Sequence, residues 1–145
     1  MGVTVKKAIF WRKEVENQSG VLATTLQPLA EVGADLHVVM GYRVPGSESK
    51  AIIELHPVSN KKSKTAAQKA GLAPSSMPTL AVEGDNVPGI GHAIAKAIGD
   101  AGINMTFVVA QVVGGKYSAV FGFENESDTN EAATLIKKAA RAWRK

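Results

Sequence analysis

Two short segments, 69 positions apart, carry the same chemistry. Asn17-Gln18-Ser19-Gly20-Val21-Leu22 leads into an apolar stripe of helical period, and so does Asn86-Val87-Pro88-Gly89-Ile90-Gly91. A bend at the start of a helix presents backbone N–H groups that no helical carbonyl reaches, together with the partial positive charge of the helix dipole. Both suit a carboxylate. Gly20 and Gly89 let the backbone approach a ligand with no Cβ in the way. Asn17 and Asn86, three residues before each glycine, offer a carbonyl to an ammonium or an amide to a carboxylate. A ligand that carries an ammonium beside a carboxylate is an amino acid. The same residues are also sound strand-to-helix turns, with Asn or Ser as cap and Pro in a first helical turn, so each bend alone has a purely structural reading as well.

The elements that must position these bends are duplicated too. Ala30-Glu31-Val32-Gly33-Ala34-Asp35-Leu36 recurs as Gly99-Asp100-Ala101-Gly102-Ile103-Asn104-Met105. Alternating Ile9, Trp11 and Val15 predict a strand over Lys7–Glu14, and the stripe Val21, Leu22, Leu26, Leu29, Val32 predicts a helix from Gly20, kinked or stopped early at Pro28. A strand over Ala34–Val44, a loop at Pro45–Ser49, a strand over Lys50–His56 and a helix from Ser59 or Asn60 to Ala70 follow. Leu72–Val82, with Pro74 and Pro78, reads as a poor edge strand or connector running into a strand over Thr79–Glu83. The second copy then gives a helix over Gly89–Ala101, strands over Ile103–Val113 and Lys116–Phe123 joined at Gly114-Gly115, and a final helix capped by Ser127 or Asp128. Lys137, Lys138, Arg141, Arg144 and Lys145 crowd the end of that helix, where cations suit the dipole. The expected organisation is two domains, 1–77 and 78–145, the second lacking its last strand. The fold class is α+β: two ferredoxin-like βαββα(β) units with antiparallel sheets and helices on one face.

The chain has 145 residues, no cysteine and a net charge of +4. Copies this small bury little surface alone, so pairing in a homo-oligomer, most simply a dimer, is expected. Without cysteine there are no disulfides, thiolate nucleophiles or cysteine metal sites, which fits a cytoplasmic setting. No apolar run reaches the length of a membrane span and the start lacks a secretion signal, so no membrane partner is expected. The positive excess comes from residues 1–77, with ten Lys/Arg against six Asp/Glu, and chiefly from Lys61, Lys62, Lys64 and Lys69. Such a cluster is read as a solvated helix face, with a nucleic-acid or acidic-partner footprint as the alternative.

Val15-Glu16-Asn17-Gln18-Ser19-Gly20-Val21-Leu22-Ala23 with Gly33-Ala34-Asp35-Leu36, and Asn86-Val87-Pro88-Gly89-Ile90 with Ala101-Gly102-Ile103-Asn104-Met105, resemble the ACT-domain signature, Asn-x-Pro-Gly-x-Leu followed by Ala-Gly-x-Asn-Ile. The resemblance covers both halves and departs from the pattern at Ser19, where Pro is usual. It implies a non-catalytic regulatory protein that binds a small effector, most plausibly an amino acid, and passes the signal to another protein. The effector-binding residues it implies are Asn17, Gln18, Ser19, Gly20, Val21, Leu22, Asp35 and Leu36 in the first copy, and Asn86, Val87, Pro88, Gly89, Ile90, Asn104 and Met105 in the second. In an ACT pair Asp35 faces the loop of the partner domain, placing the effector between the turn of one unit and the second strand of the next. A plain strand-end carboxylate is the alternative for Asp35. The first copy is also similar to the regulatory subunit of acetolactate synthase, which implies a metabolic enzyme as partner. ACT domains that bind nothing and only mediate assembly form the second functional class.

Other chemistries fit poorly. His37, His56 and His92 lie on three different elements without metal-ligand spacing, so neither metal nor cofactor is expected. No phosphate-binding loop, nucleophile elbow or dinucleotide fingerprint is present. RNA-recognition domains share the element order, but the aromatic register of Gly115–Phe123 fails at Ala119 and Gly122, so no nucleic acid is expected. Tyr117, Phe121 and Phe123 share one strand face, either as core or as an open stacking surface.

Overall fold

The computed structural model describes residues 2–143; Arg144 and Lys145 lie outside the described residues. The chain forms β1 (Val3–Ala8), β2 (Trp11–Glu16), α1 (Val21–Glu31), β3 (Val38–Arg43), β4 (Lys50–His56), α2 (Lys61–Lys69), β5 (Ala73–Pro74), β6 (Thr79–Asp85), α3 (Ile90–Asp100), β7 (Met105–Val113), β8 (Lys116–Phe123) and α4 (Glu126–Ala142). These make two four-stranded antiparallel sheets, ordered β3-β4-β2-β5 and β1-β6-β8-β7. The fold class is that expected, α+β with two ferredoxin-like units.

The first unit comprises residues 9–76. In β4 the alternation places Ala51, Ile53 and Leu55 in the core with Trp11 and Val15 of β2, Leu29 of α1 and the small Ala66 and Ala67 of α2. Helix α1 runs through Pro28 to Glu31 without the expected early stop. The hydrogen bond that proline forfeits belongs to the Thr24 carbonyl, and Thr24 is exposed, so water can serve it. Helix α2 is capped as expected, Asn60 Oδ1 accepting from the Ser63 N–H at 2.8 Å.

The second unit joins residues 1–8 to residues 77–145. This corrects the expected boundary. The strand read over Lys7–Glu14 is two strands, β1 and β2, in different sheets, because the chain leaves the ladder at Ile9 and Phe10. Strand β1 pairs with β6 from Val3 opposite Gly84 to Ala8 opposite Thr79. The second copy therefore does have a fourth strand, supplied by the start of the chain, and β1 covers an edge of β6 that would otherwise stand open. Val3 and Val5 pack against a core of Leu80, Val82, Ile94, Ile98, Phe121, Phe123 and Ile136. Tyr117, Phe121 and Phe123 are all buried, so their shared face is core.

The cap of α4 also differs from expectation. Asn125, not Ser127 or Asp128, accepts from the Asp128 N–H at 2.8 Å, so the helix starts earlier and gains Glu126 and Asp128 in its first turn.

Replacing both Val3 and Val5 with Asp should destabilise the second unit by about 2–4 kcal/mol in urea unfolding, since two partly buried apolar contacts and part of a ladder are lost. Hydrogen exchange should quicken across Thr79–Asp85 and stay unchanged in β2 and β4. Loss of protection in β2 instead would contradict the pairing of β1 with β6.

Candidate functional site

The two bends are built alike. In the first, the Asn17 N–H donates to Ser49 O at 2.8 Å, and in the second the Asn86 N–H donates to Gly115 O at 2.9 Å. Gly20 (φ +83°) and Gly89 (φ +91°) precede α1 and α3 in the left-handed region. A side chain at either position is strained. A cross-strand ion pair flanks each bend, Lys50 with Glu16 and Lys116 with Asp85. Hydrogen bonding to Lys116 holds the Asp85 carboxyl below its usual range, and that to Glu16 raises the Lys50 ammonium.

Their surroundings differ. Beside the first bend lies an open cleft of about 490 Å³, lined by Asn17, Gln18, Gly20, Val21 and Leu22, by Gly41, Tyr42 and Arg43 of β3, and by Val15 and Ala51–Ile53. The register explains its shape. Val15, Ala51 and Arg43 lie in one row across the sheet, and Lys13, Ile53 and Gly41 in another, all on the helix side. Gly41 has no side chain to fill the cleft, and a Cβ built there meets nothing within 4 Å. Arg43, at the rim, is the one charged residue among those lining it. No backbone hydrogen bond engages the N–H groups of Leu22 or Ala23 among the described residues. The cleft is thus bordered by one cationic residue and by the first turn of α1, the positive end of that helix dipole.

On the opposite sheet face the Tyr42 hydroxyl donates to Glu54 Oε2 at 2.6 Å, and Glu54, 2% exposed, sits opposite Arg12 and Met40 in the ladder. Burial first, then the Glu54 carboxylate, pushes the phenol up to about 12, against a smaller pull from Arg12. This contact pins the strand that carries Gly41 and Arg43.

At the second bend the equivalent row is Gly84, Tyr117 and Val112. A buried phenol ring stands where the first unit has the methyl of Ala51, and valine stands where it has Arg43. Trp143, just beyond α4, seals the bend from another side. Its Nε1 donates to Pro88 O at 2.8 Å, and a Cβ on Gly89 would lie 2.6 Å from its ring. Ile90 is buried in the core.

Of the expected site residues, the structure gathers Asn17, Gln18, Gly20, Val21 and Leu22 around one cleft; Ser19 is exposed in the bend without lining it. Asn86, Val87, Pro88, Gly89 and Ile90 form the sealed bend. Asp35 and Leu36 follow the far end of α1, about 16 Å along an eleven-residue helix from the first bend within their own unit. Asp35 is exposed and pairs with His37 at 3.2 Å, and Leu36 packs against the core. Asn104 and Met105 hold the matching place beyond α3, Asn104 exposed and Met105 packed on its core. Gly41, Tyr42 and Arg43 were missed by the sequence reading. The signal was the exchange of Ala51 for Tyr117 between aligned strands.

Neither a family sequence model nor a curated protein sequence matches the chain. Solved structures do. A protein from Bacteroides thetaiotaomicron is similar at a TM-score of 0.70 and 16% identity over 94% of this chain and 89% of its own. The ligand-free regulatory subunit of aspartate kinase from Thermus thermophilus gives 0.62 and 16%, covering 96% and 97%. That from Thermus flavus gives 0.59 and 16%, covering 97% and 95%. At such identities the likeness is one of fold, and the fold is the tandem ACT-type arrangement that the resemblance implied. No helix among the described residues is long and apolar enough to cross a membrane.

The chain has two tyrosines, and burial raises Tyr117 as well. Absorbance at 295 nm should show little tyrosinate at pH 10, and the step near pH 12 should vanish in Tyr42→Phe. Because the folded state holds the Tyr42 proton more tightly than the unfolded state, stability contributed by Tyr42 is fully present below pH 10 and is lost as pH rises from 10 through 12. A half-ionised Tyr42 at pH 10 would refute the Glu54 contact.

Proposed function

We propose that this chain is a non-catalytic regulatory protein that binds one amino acid at the first bend. The open cleft between the start of α1 and β3 carries this reading. Its volume falls within the range of small-molecule sites. The effector's carboxylate lies against the Leu22 and Ala23 N–H groups and Arg43. The Asn17 and Gln18 side-chain carbonyls accept from its ammonium. Its side chain rests on Val15, Val21 and Ala51. The second bend, sealed by Tyr117 and Trp143, takes none, so each chain binds one effector. Fold likeness to regulatory subunits of aspartate kinase supports output to a biosynthetic enzyme carried by another chain. The effector acts by linkage, favouring whichever assembled state holds it more tightly.

A specific observation favours self-association beside this. Edge strand β7 has no charged residue and exposes Val108, Val109, Val112 and Val113, the last by 64%. Natural sheets blunt free edges with charge, bulges or cover, and a second copy is the cover proposed here. Val109→Lys together with Val113→Lys should turn a dimer into a monomer in sedimentation equilibrium. A wild-type chain that is monomeric at high concentration refutes the interface.

Screening the twenty amino acids by thermal unfolding tests the effector. Ligand at 100 times Kd adds about 2.7 kcal/mol, enough to move the midpoint by roughly 20 °C in a unit of this size. One or a few amino acids should do so, with calorimetry giving one site per chain. Arg43→Ala should weaken binding at least tenfold, and Ala51→Tyr, which imports the second unit's filling, should abolish it. A flat screen, or two sites per chain, overturns the reading.

A further inference from the structure

We infer that the groove between α1 and α2 is a docking surface for an acidic amphipathic helix of another protein. The groove has a volume of about 570 Å³, with Pro28, Val32 and Ala66 along its floor and Lys61, Lys62 and Lys69 along its rim. Val32 is 40% exposed, a large apolar side chain left uncovered beside a strongly cationic helix.

Internal comparison explains why the groove exists. The buried stripe Ser63, Ala66 and Ala67 of α2 corresponds to Thr129, Ala132 and the partly buried Ala133 of α4. Helix α4 continues to seventeen residues, presenting Leu135 and Ile136 to its core, whereas the nine-residue α2 offers Lys69 and Ala70 at those places and stops. The apolar bulk that fills the second unit between its helices is missing from the first.

Charge identifies the occupant. Lys7, Lys50, Lys96 and Lys116 each have a carboxylate partner. Among the described residues Lys61, Lys62 and Lys69 have none, and α2 contains no acidic residue. Glu31, at the α1 side, receives the Gln27 amide at 3.2 Å. Lys61 and Lys62 stand in the first turn, where the dipole disfavours cations, so carboxylates brought by a partner relieve as well as pair them. From Lys62 to Lys69 is two helical turns, about 11 Å. A helix with acidic side chains two turns apart and an apolar stripe between them matches rim and floor together, the helix-in-groove mode. The apolar floor sets this surface apart from a nucleic-acid footprint, which needs cations without it. The surface lies apart from the effector cleft and stands independently of that reading.

Two synthetic 18-residue peptides of equal composition test it against the full-length chain. One carries leucines at i, i+3, i+7 with glutamates flanking them two turns apart; the other has its leucines scattered around the helix. Fluorescence anisotropy should show micromolar binding of the first, weakening with salt, with amide shifts at Val32, Ala66 and Lys69 in a ¹⁵N-labelled sample. Lys62→Glu with Lys69→Glu, both exposed, should weaken it at least tenfold and leave the thermal response to amino acids intact. Equal binding of the scattered peptide, shifts elsewhere, absence of binding at millimolar concentration, or preference for phosphatidylserine vesicles or RNA would each overturn the inference.

Discussion

A left-handed glycine at the start of a helix is the constraint on which the rest depends. Gly20 and Gly89 turn the chain so that each helix starts above its sheet instead of continuing past it. The turn fixes where the helix dipole points. It also fixes which side chains of the neighbouring strands lie beneath the first helical turn. Once the bend is set, the antiparallel register decides what that space contains: Val15, Ala51 and Arg43 in one unit, Gly84, Tyr117 and Val112 in the other. Identical backbone chemistry thus yields an open cleft once and a packed core once.

Repetition made the element order legible, because helix stripes and turn glycines are local signals. Strand membership was not. The alternation predicts one strand over Lys7–Glu14, whereas the chain forms Val3–Ala8 and Trp11–Glu16, and only long-range pairing assigns the first to β6. No periodicity in a single segment records which distant strand it will meet. The boundary between units was misread for that reason, and the missing strand with it. At Pro28, of the kink or early stop expected, the stop does not occur: Thr24, whose carbonyl loses its donor, is an exposed residue, and burial of Leu29 favours continuing the helix.

The site was half legible. Asn17, Gln18 and Gly20–Leu22, which line the cleft, were legible as a group because bend chemistry is contiguous in sequence. Gly41 and Arg43 enter from a strand two elements later, and their role appears only through a register that aligns Arg43 with Ala51 and Gly41 with Ile53. The two bends read alike in sequence but differ in their surroundings, because a motif records the donors and leaves out what fills the space before them. Tyr117 and the Trp143 indole do that filling, and Trp143 lies 54 positions beyond the glycine it covers.

The two surfaces of the first unit divide the work of recognition by charge geometry. The cleft is lined by a single cationic residue, Arg43, beside a helix start, so the carboxylate affinity proposed for it rests on a few short, directional contacts beside apolar walls. In the groove three ammonium groups are spread over two turns of α2, and each is solvated and screened. No one of them holds a ligand firmly; they act through number and spacing on an extended partner. A small zwitterion satisfies the first arrangement and leaves most of the second unpaired. An acidic helix does the reverse, since its carboxylates are spread over two turns and only Arg43 among the residues lining the cleft carries a positive charge. On the proposed reading, effector and partner take separate surfaces of the first unit, and α1 contributes residues to both.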